Sequence, residues 1–170
     1  MRMRSIGSLE VSVVGLGCNN FGWRTDETRT RAVVDAAIEV GLTLLDTADI
    51  YGDTQSETFL GRILRGRRDR VVIATKFGKQ GDPRVDGGAS AAYVRAAVEA
   101  SLRRLDTDRI DLYQLHEPRP ETPIVETLGV LDDLVRDGKV REIGCSNFSA
   151  TQLREASDRK STRLNSSHRL

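Results

Sequence analysis

A parallel β-sheet covered by helices is the fold class this sequence predicts, placing it among α/β proteins. Apolar runs of strand length alternate with amphipathic helical stretches along nearly the whole chain. Each strand–helix unit takes roughly 30–40 residues, the scale of a βαβ unit. A second observation is chemical. Asp46, Tyr51, Lys76 and His116 each fall where a predicted strand stops or shortly after it. Strand ends are where parallel sheets gather distant side chains into one pocket. A doubly wound sheet and a (β/α) barrel both satisfy this pattern.

The first 14 residues read as a short hairpin turning at Gly7-Ser8 and leading into a strand from Val11 to Gly15. Residues 29–40 place Ala32, Val33, Ala36, Ala37 and Val40 on one helical face, with Gly41 as terminator. Thr43–Leu45 is the next strand. Ser56 is the predicted cap of a helix burying Phe59, Leu60, Ile63 and Leu64. Val71–Thr75 is a strand, followed by a Gly-rich loop over 78–89. Residues 91–105 carry a stripe of Val94, Val98, Leu102 and Leu105. After the strand Ile110–Leu115, Thr122 is the predicted cap of a helix with Pro123 at its first position and Gly138 past its end. Val140–Gly144 is the fifth strand of the alternation. Ser149-Ala-Thr-Gln152 has the spacing of a capping box.

Composition narrows the function. With 38% hydrophobic and 30% charged residues the chain is globular in character, and no apolar run is long enough to span a bilayer. The N-terminus lacks the apolar centre of a signal peptide, so a cytoplasmic location is expected. Two cysteines, Cys18 and Cys145, argue against a disulfide framework and are read as small packing residues. The formal charge is +1, but without residues 158–170 the count is 22 basic against 24 acidic. Neither nucleic acid nor a membrane surface is therefore expected as a partner. Only four of the 26 basic residues are lysine, so a lysine at a strand end needs a reason.

The dinucleotide fingerprint fails: Gly15-Leu-Gly17-Cys-Asn-Asn20 has Asn in place of the third glycine. A Tyr-x-x-x-Lys pair is absent, and two histidines without Cys-x-x-Cys make a poor metal set. Asp46, Tyr51, Lys76 and His116 together suggest a different chemistry. A buried ammonium beside a phenol favours the phenolate and eases release of the phenolic proton. Asp46 would hold that ammonium, and His116 could donate a hydrogen bond to a substrate oxygen. Such a set protonates a developing alkoxide. Alkoxides arise when hydride reaches a carbonyl carbon, which needs a carrier such as a nicotinamide. Residue by residue, each has a duller reading as a cap, a half-buried aromatic, a solvated lysine or a loop histidine. Coincidence of all four at successive strand ends is what outweighs those readings.

Five segments, in order, carry a resemblance to the aldo-keto reductase family: Gly15-Leu-Gly17 with Phe21-Gly22; Asp46-Thr-Ala-Asp-Ile-Tyr51-Gly52; Ala74-Thr-Lys76-Phe-Gly78; Asp111-Leu-Tyr-Gln-Leu-His116; and Gly138 through Ser149 with Ser146-Asn147. The resemblance covers residues 1 to about 157. It implies a (β/α)8 TIM barrel behind an N-terminal hairpin and NADPH-dependent reduction of an aldehyde or ketone, with NADH as the alternative carrier. Tyr51 would be the general acid, Lys76 its activator, Asp46 the lysine's partner and His116 the substrate-orienting residue. Gly17, Asp46, Ser146 and Asn147 would meet the cofactor, and Trp23 would wall the substrate pocket. A non-catalytic, nicotinamide-sensing subunit on the same barrel is the rival function.

The family pattern also implies eight strand–helix units, whereas this sequence supplies about five. The expectation is a partial barrel over 1–157, with the cofactor's adenosine-binding residues beyond it. Residues 158–170 abandon the helical pattern and resemble a translated sequencing-library adapter, so a disordered, non-native tail is expected there, with no function for Arg163, His168 or Arg169. Open edges on the first and fifth strands would favour self-association, and an inactive fragment with at best weak NADPH binding is expected.

Overall fold

The computed structural model describes residues 1–82 and 89–167, with side chains up to Asp158. Two short strands, β1 (Met3–Ile6) and β2 (Leu9–Ser12), form an antiparallel hairpin. Gly7 turns it at a φ of 57°, a conformation glycine adopts without strain. Then come β3 (Gly15–Gly17), α1 (Glu27–Glu39), β4 (Leu44–Asp46), α2 (Gln55–Ile63), β5 (Val72–Phe77), α3 (Ala91–Leu105), β6 (Ile110–Leu115), α4 (Ile124–Arg136), β7 (Val140–Cys145) and α5 (Ala150–Ser167). Strands β3 to β7 form one parallel sheet in unbroken sequential order. A doubly wound sheet reverses its strand order at a switch point; this one does not, so the winding is that of a (β/α) barrel. Among the described residues, β3 and β7 are the sheet's edges.

Pleating sorts the strand side chains into two cores. Leu45, Ile73, Phe77 and Tyr113 pack outward against Val34 and Ile38 of α1, Leu60 of α2 and Val94 and Val98 of α3. On the opposite face, Ala74 and Leu112 pack against Leu9 and Val11 of the hairpin. The hairpin therefore supplies the apolar cover for the inner face that the helices cannot reach.

Several elements differ from the sequence expectation. Val11 belongs to the hairpin, and the first sheet strand begins at Gly15. Val13 and Val14 lie exposed between them, because Ser12 and Thr43 exchange backbone-to-hydroxyl hydrogen bonds that end the hairpin there. Helix α1 starts two residues earlier than predicted, where the Asp26 carboxylate accepts the Arg29 N–H. Its buried stripe is Thr30, Val34, Ala37 and Ile38; Val33 and Val40 are exposed. Ala32 and Ala36 fit either face, and the larger Val34–Ile38 pair decides the rotation.

Ser56 is not a cap. Thr54 occupies the cap position of α2, in left-handed backbone, and Ser56 is turned inward. Thr122 likewise does not cap α4; its hydroxyl accepts the Ala89 N–H, and Pro123 stands at the cap position. The capping box at α5 is present: Ser149 Oγ accepts the Gln152 N–H and Gln152 Oε1 accepts the Ser149 N–H. Helix α5 does not stop at Ser157 but runs to Ser167, so the disorder expected from Asp158 gives way to helix over 158–167. No proline or glycine interrupts that stretch, which leaves local propensity free to continue the turn. Half of the Gly-rich loop, residues 83–88, and His168 and Arg169 lie outside the described residues.

One buried charge ties the outer layers together. Glu57 of α2 is fully buried; its carboxylate accepts from the Thr75 hydroxyl of β5 at 2.6 Å and from Arg104 of α3 at 2.7 Å. Removing one partner from such a pair strands the other charge. Arg104→Ala is therefore expected to lower unfolding stability by about 3 kcal/mol, read as a drop in the urea midpoint. A change within the range of ordinary surface substitutions would show that the pair is not a support of the α2–α3 layer.

Candidate active site

The sheet register places the site. Asp46 pairs with Ala74, and Lys76 lies two residues further along β5, on the same face. Lys76 is inside β5 rather than beyond it, so its backbone is fixed by pairing with Gln114 of β6. Its Nζ donates to Asp46 Oδ1 at 2.7 Å and to the Thr47 carbonyl at 2.9 Å. The ammonium is nearly buried, whereas the Asp46 side chain is 43% exposed. Lys76 thus takes one oxygen of a carboxylate that still faces solvent.

Tyr51 follows on the loop after β4. Gly52, at φ 58°, sits so close to the Phe21 carbonyl that any Cβ would clash with it, which presses the Tyr51 loop against residues 21–22. The tyrosine ring lies between two groups. Lys76 Nζ is 5.2 Å from its centroid, and the His116 ring meets it edge-on at 5.9 Å and 83°. All four residues named from the sequence are thereby in one place.

His116 leaves the end of β6 with its N–H donating to the Phe77 carbonyl. Burial holds its imidazole below the ordinary 6.5, and the ammonium groups of Lys76 and Lys79 add to that shift. The ring is therefore neutral near pH 7, able to donate one hydrogen bond and accept another. Ser146 and Asn147 stand next to it. The Ser146 N–H donates to the Leu115 carbonyl, and Asn147 Nδ2 donates to the His116 carbonyl at 2.9 Å. Asn147 has left-handed backbone, φ 60°, which Asn tolerates better than most residues.

Trp23 is exposed, with the Arg24 guanidinium 4.5 Å from its centroid. It shares a cleft of about 480 Å³ with Asn19, Tyr51, Gly52 and Asp53, so it lines open space beside the tyrosine and does not cover the core. A wider cleft, about 630 Å³, opens past Glu117 and Asn147 toward the start of α5. Gly17, at the end of β3, has nothing within 4 Å of where a Cβ would stand. Cys18 is buried, and burial followed by the nearby Asp46 charge raises its thiol to about 12; burial raises Cys145 as well. Neither thiol is a nucleophile. Among the described residues no helix is long and apolar enough to cross a membrane.

The sequence reading does not single out Thr47, Ser56 or Glu57 as parts of the site's support. Thr47 and Ser56 hydroxyls lie 2.8 Å apart in the interior, and Glu57 bonds the residue before Lys76. Serine and threonine near a helix start signal a cap, and nothing in their spacing reports which way the hydroxyl turns.

Residues 13–167 match the aldo/keto reductase family. The chain is 39% identical over 160 residues to the uncharacterized oxidoreductase YqkF of Bacillus subtilis (strain 168), covering 91% of this chain and 52% of that protein. It superposes on the holo form of the aldo-keto reductase AKR11C1 from Bacillus halodurans with a TM-score of 0.83 and 40% identity, over 94% of this chain and 54% of that one. The thermostable aldo-keto reductase Tm1743, in complex with the inhibitor epalrestat, gives a TM-score of 0.83 at 31% identity, over 94% and 58%. The chain thus spans about half the length of the relatives it matches.

The depressed His116 titration fixes a sign for pH dependence. A histidine whose folded pKa is lowered contributes stability that is complete above the unfolded value of 6.5 and is lost as pH falls through the window below it. Urea midpoints measured from pH 7.5 down to 5 should fall more steeply for the native chain than for His116→Asn. Parallel curves would mean that His116 titrates as a solvent-exposed imidazole.

Proposed function

Because the chain belongs to the aldo/keto reductase family, we propose that it carries the proton-donating site of a nicotinamide-dependent oxidoreductase acting on small aldehydes, ketones or the corresponding alcohols. One observation supports this above the rest: the Tyr51 ring is flanked by a buried ammonium and a neutral imidazole.

The residues present suit the nicotinamide end of a cofactor. The Ser146 hydroxyl and the Asn147 amide offer the donors and acceptors that a carboxamide needs, and the exposed part of Asp46 can accept from a ribose hydroxyl. NADPH is the proposed carrier, with NADH the alternative. When bound, it supplies hydride to the carbonyl carbon. Negative charge then gathers on the carbonyl oxygen. Tyr51 gives its hydroxyl proton to that oxygen, closing the alcohol O–H bond and leaving a phenolate. The Lys76 ammonium stabilises the phenolate, and Asp46 and the Thr47 carbonyl keep the ammonium in place. His116 orients the carbonyl oxygen by hydrogen bonding without adding charge. Trp23 shapes the cleft through which the substrate arrives. A cytoplasmic setting, where nicotinamide nucleotides are abundant, fits this reading.

The test is multiple-turnover NADPH oxidation with a generic aldehyde. In a protein of the relatives' full length, Tyr51→Phe is expected to lower turnover by roughly 10²–10⁴-fold, the range for loss of a general acid, while NADPH affinity in a fluorescence titration stays unchanged. Equal turnover in the variant would remove Tyr51 from this role. Tight NADPH binding without turnover by a protein of the relatives' full length would favour a cofactor-sensing protein instead.

A further inference from the structure

Lys76 has two hydrogen-bond acceptors of different kinds. The Asp46 carboxylate sits on a rotatable, partly exposed side chain. The Thr47 carbonyl belongs to the backbone and can leave the ammonium only if the strand end itself moves. What fixes that peptide therefore matters to the site.

Thr47 is fully buried, and its N–H donates to the Ala74 carbonyl at 2.8 Å. Its hydroxyl lies 2.8 Å from Ser56 Oγ, and Ser56 Oγ lies 2.9 Å from the Cys18 carbonyl. A carbonyl has no proton to give, so Ser56 donates to Cys18. A hydroxyl has only one proton, so Thr47 must donate to Ser56. The order of donors is thereby fixed without ambiguity: Thr47 hydroxyl to Ser56 hydroxyl to Cys18 carbonyl. The far end is anchored too, since the Cys18 N–H donates to the Asp46 carbonyl at 2.8 Å. The Ser56 N–H, finally, donates to the Tyr51 carbonyl at 3.2 Å. Thr47, Ser56 and Cys18 are all fully buried, so water cannot replace a lost link cheaply.

We infer that the Thr47 and Ser56 hydroxyls form a positioning relay that locks the Lys76 ammonium and the Tyr51 loop in one arrangement. The inference rests on the reading of Lys76 as the support of Tyr51. Neither hydroxyl touches a reacting atom, so both are positioning residues and not catalytic ones. Ser56 is the hub, because it hydrogen-bonds Thr47, the residue 18 peptide and the Tyr51 backbone. The relay also explains why Ser56 is turned inward and leaves the start of α2 without a side-chain cap.

The test uses the whole chain and does not depend on turnover. Lys76 acylation by acetic anhydride is followed by peptide mass spectrometry, with Lys79 and Lys139 as internal references. Thr47→Val keeps the volume and removes the first donor; Ser56→Ala removes the hub; Thr47→Ser restores the hydroxyl. Lys76 labelling relative to the references is expected to rise roughly 5- to 30-fold in Thr47→Val and Ser56→Ala, the change in an opening equilibrium that one lost buried hydroxyl bond produces. It should return to the native rate in Thr47→Ser. In NADPH oxidation, kcat should fall in the first two variants with KM unchanged. If Ser56→Ala does not fold, the Thr47 pair carries the comparison. Native labelling of Lys76 in Thr47→Val would overturn the relay, as would an equal rise at Lys79 and Lys139, which would report general loosening. Relay-dependent labelling in a chain without any NADPH turnover would sustain the relay and count against the proposed function alone.

Discussion

A buried ammonium governs this structure. Lys76 is 6% exposed in a chain that otherwise prefers arginine for its cations. Burying a charge without partners is prohibitive, so the ammonium fixes its surroundings. Asp46 must lie on the neighbouring strand in diagonal register, and the Thr47 peptide must present its carbonyl inward. Those two demands set where β4 ends and how the following loop departs. The loop then carries Tyr51 back over the same ammonium.

The layers outside the sheet reinforce this arrangement from behind. The residue before Lys76, Thr75, points to the opposite face and bonds the buried Glu57, which Arg104 neutralises. A second buried carboxylate, Asp111, accepts the Ile73 N–H and an Arg68 guanidinium near the start of β5. Strand β5 is therefore held at both ends by charge-assisted hydrogen bonds, and the chemistry is displayed at only one of them. The candidate site residues collect at the C-terminal rim, as the parallel winding requires.

The parts of the fold carried by strong hydrophobic periodicity were legible in the sequence. Residues 91–105 form a helix with the predicted stripe buried, and Ile110–Leu115 is a strand with the predicted bounds. Legibility failed where small or polar residues decide the outcome. The rotation of α1 turned on Val34 and Ile38 against a background of alanines that fit either face. Ser56 and Thr122 looked like caps because hydroxyls before a helix usually are, yet both are spent on partners distant in sequence. The four rim residues were readable because strand ends and residue chemistry coincide. Their support was not, since hydrogen-bond direction among buried hydroxyls is a property of three-dimensional proximity alone.

We propose that this rim delivers a proton to a carbonyl oxygen as hydride arrives at its carbon. Deuterium transfer tests it most directly. The chain would be incubated with NADPH deuterated at the transferring position of the nicotinamide, together with an aldehyde, and the alcohol examined by mass spectrometry. The account predicts one deuterium on the carbinol carbon of the product, with the hydroxyl hydrogen drawn from solvent by way of Tyr51. Alcohol formed without the label, or no alcohol from a chain shown to be folded and to bind NADPH, would contradict it.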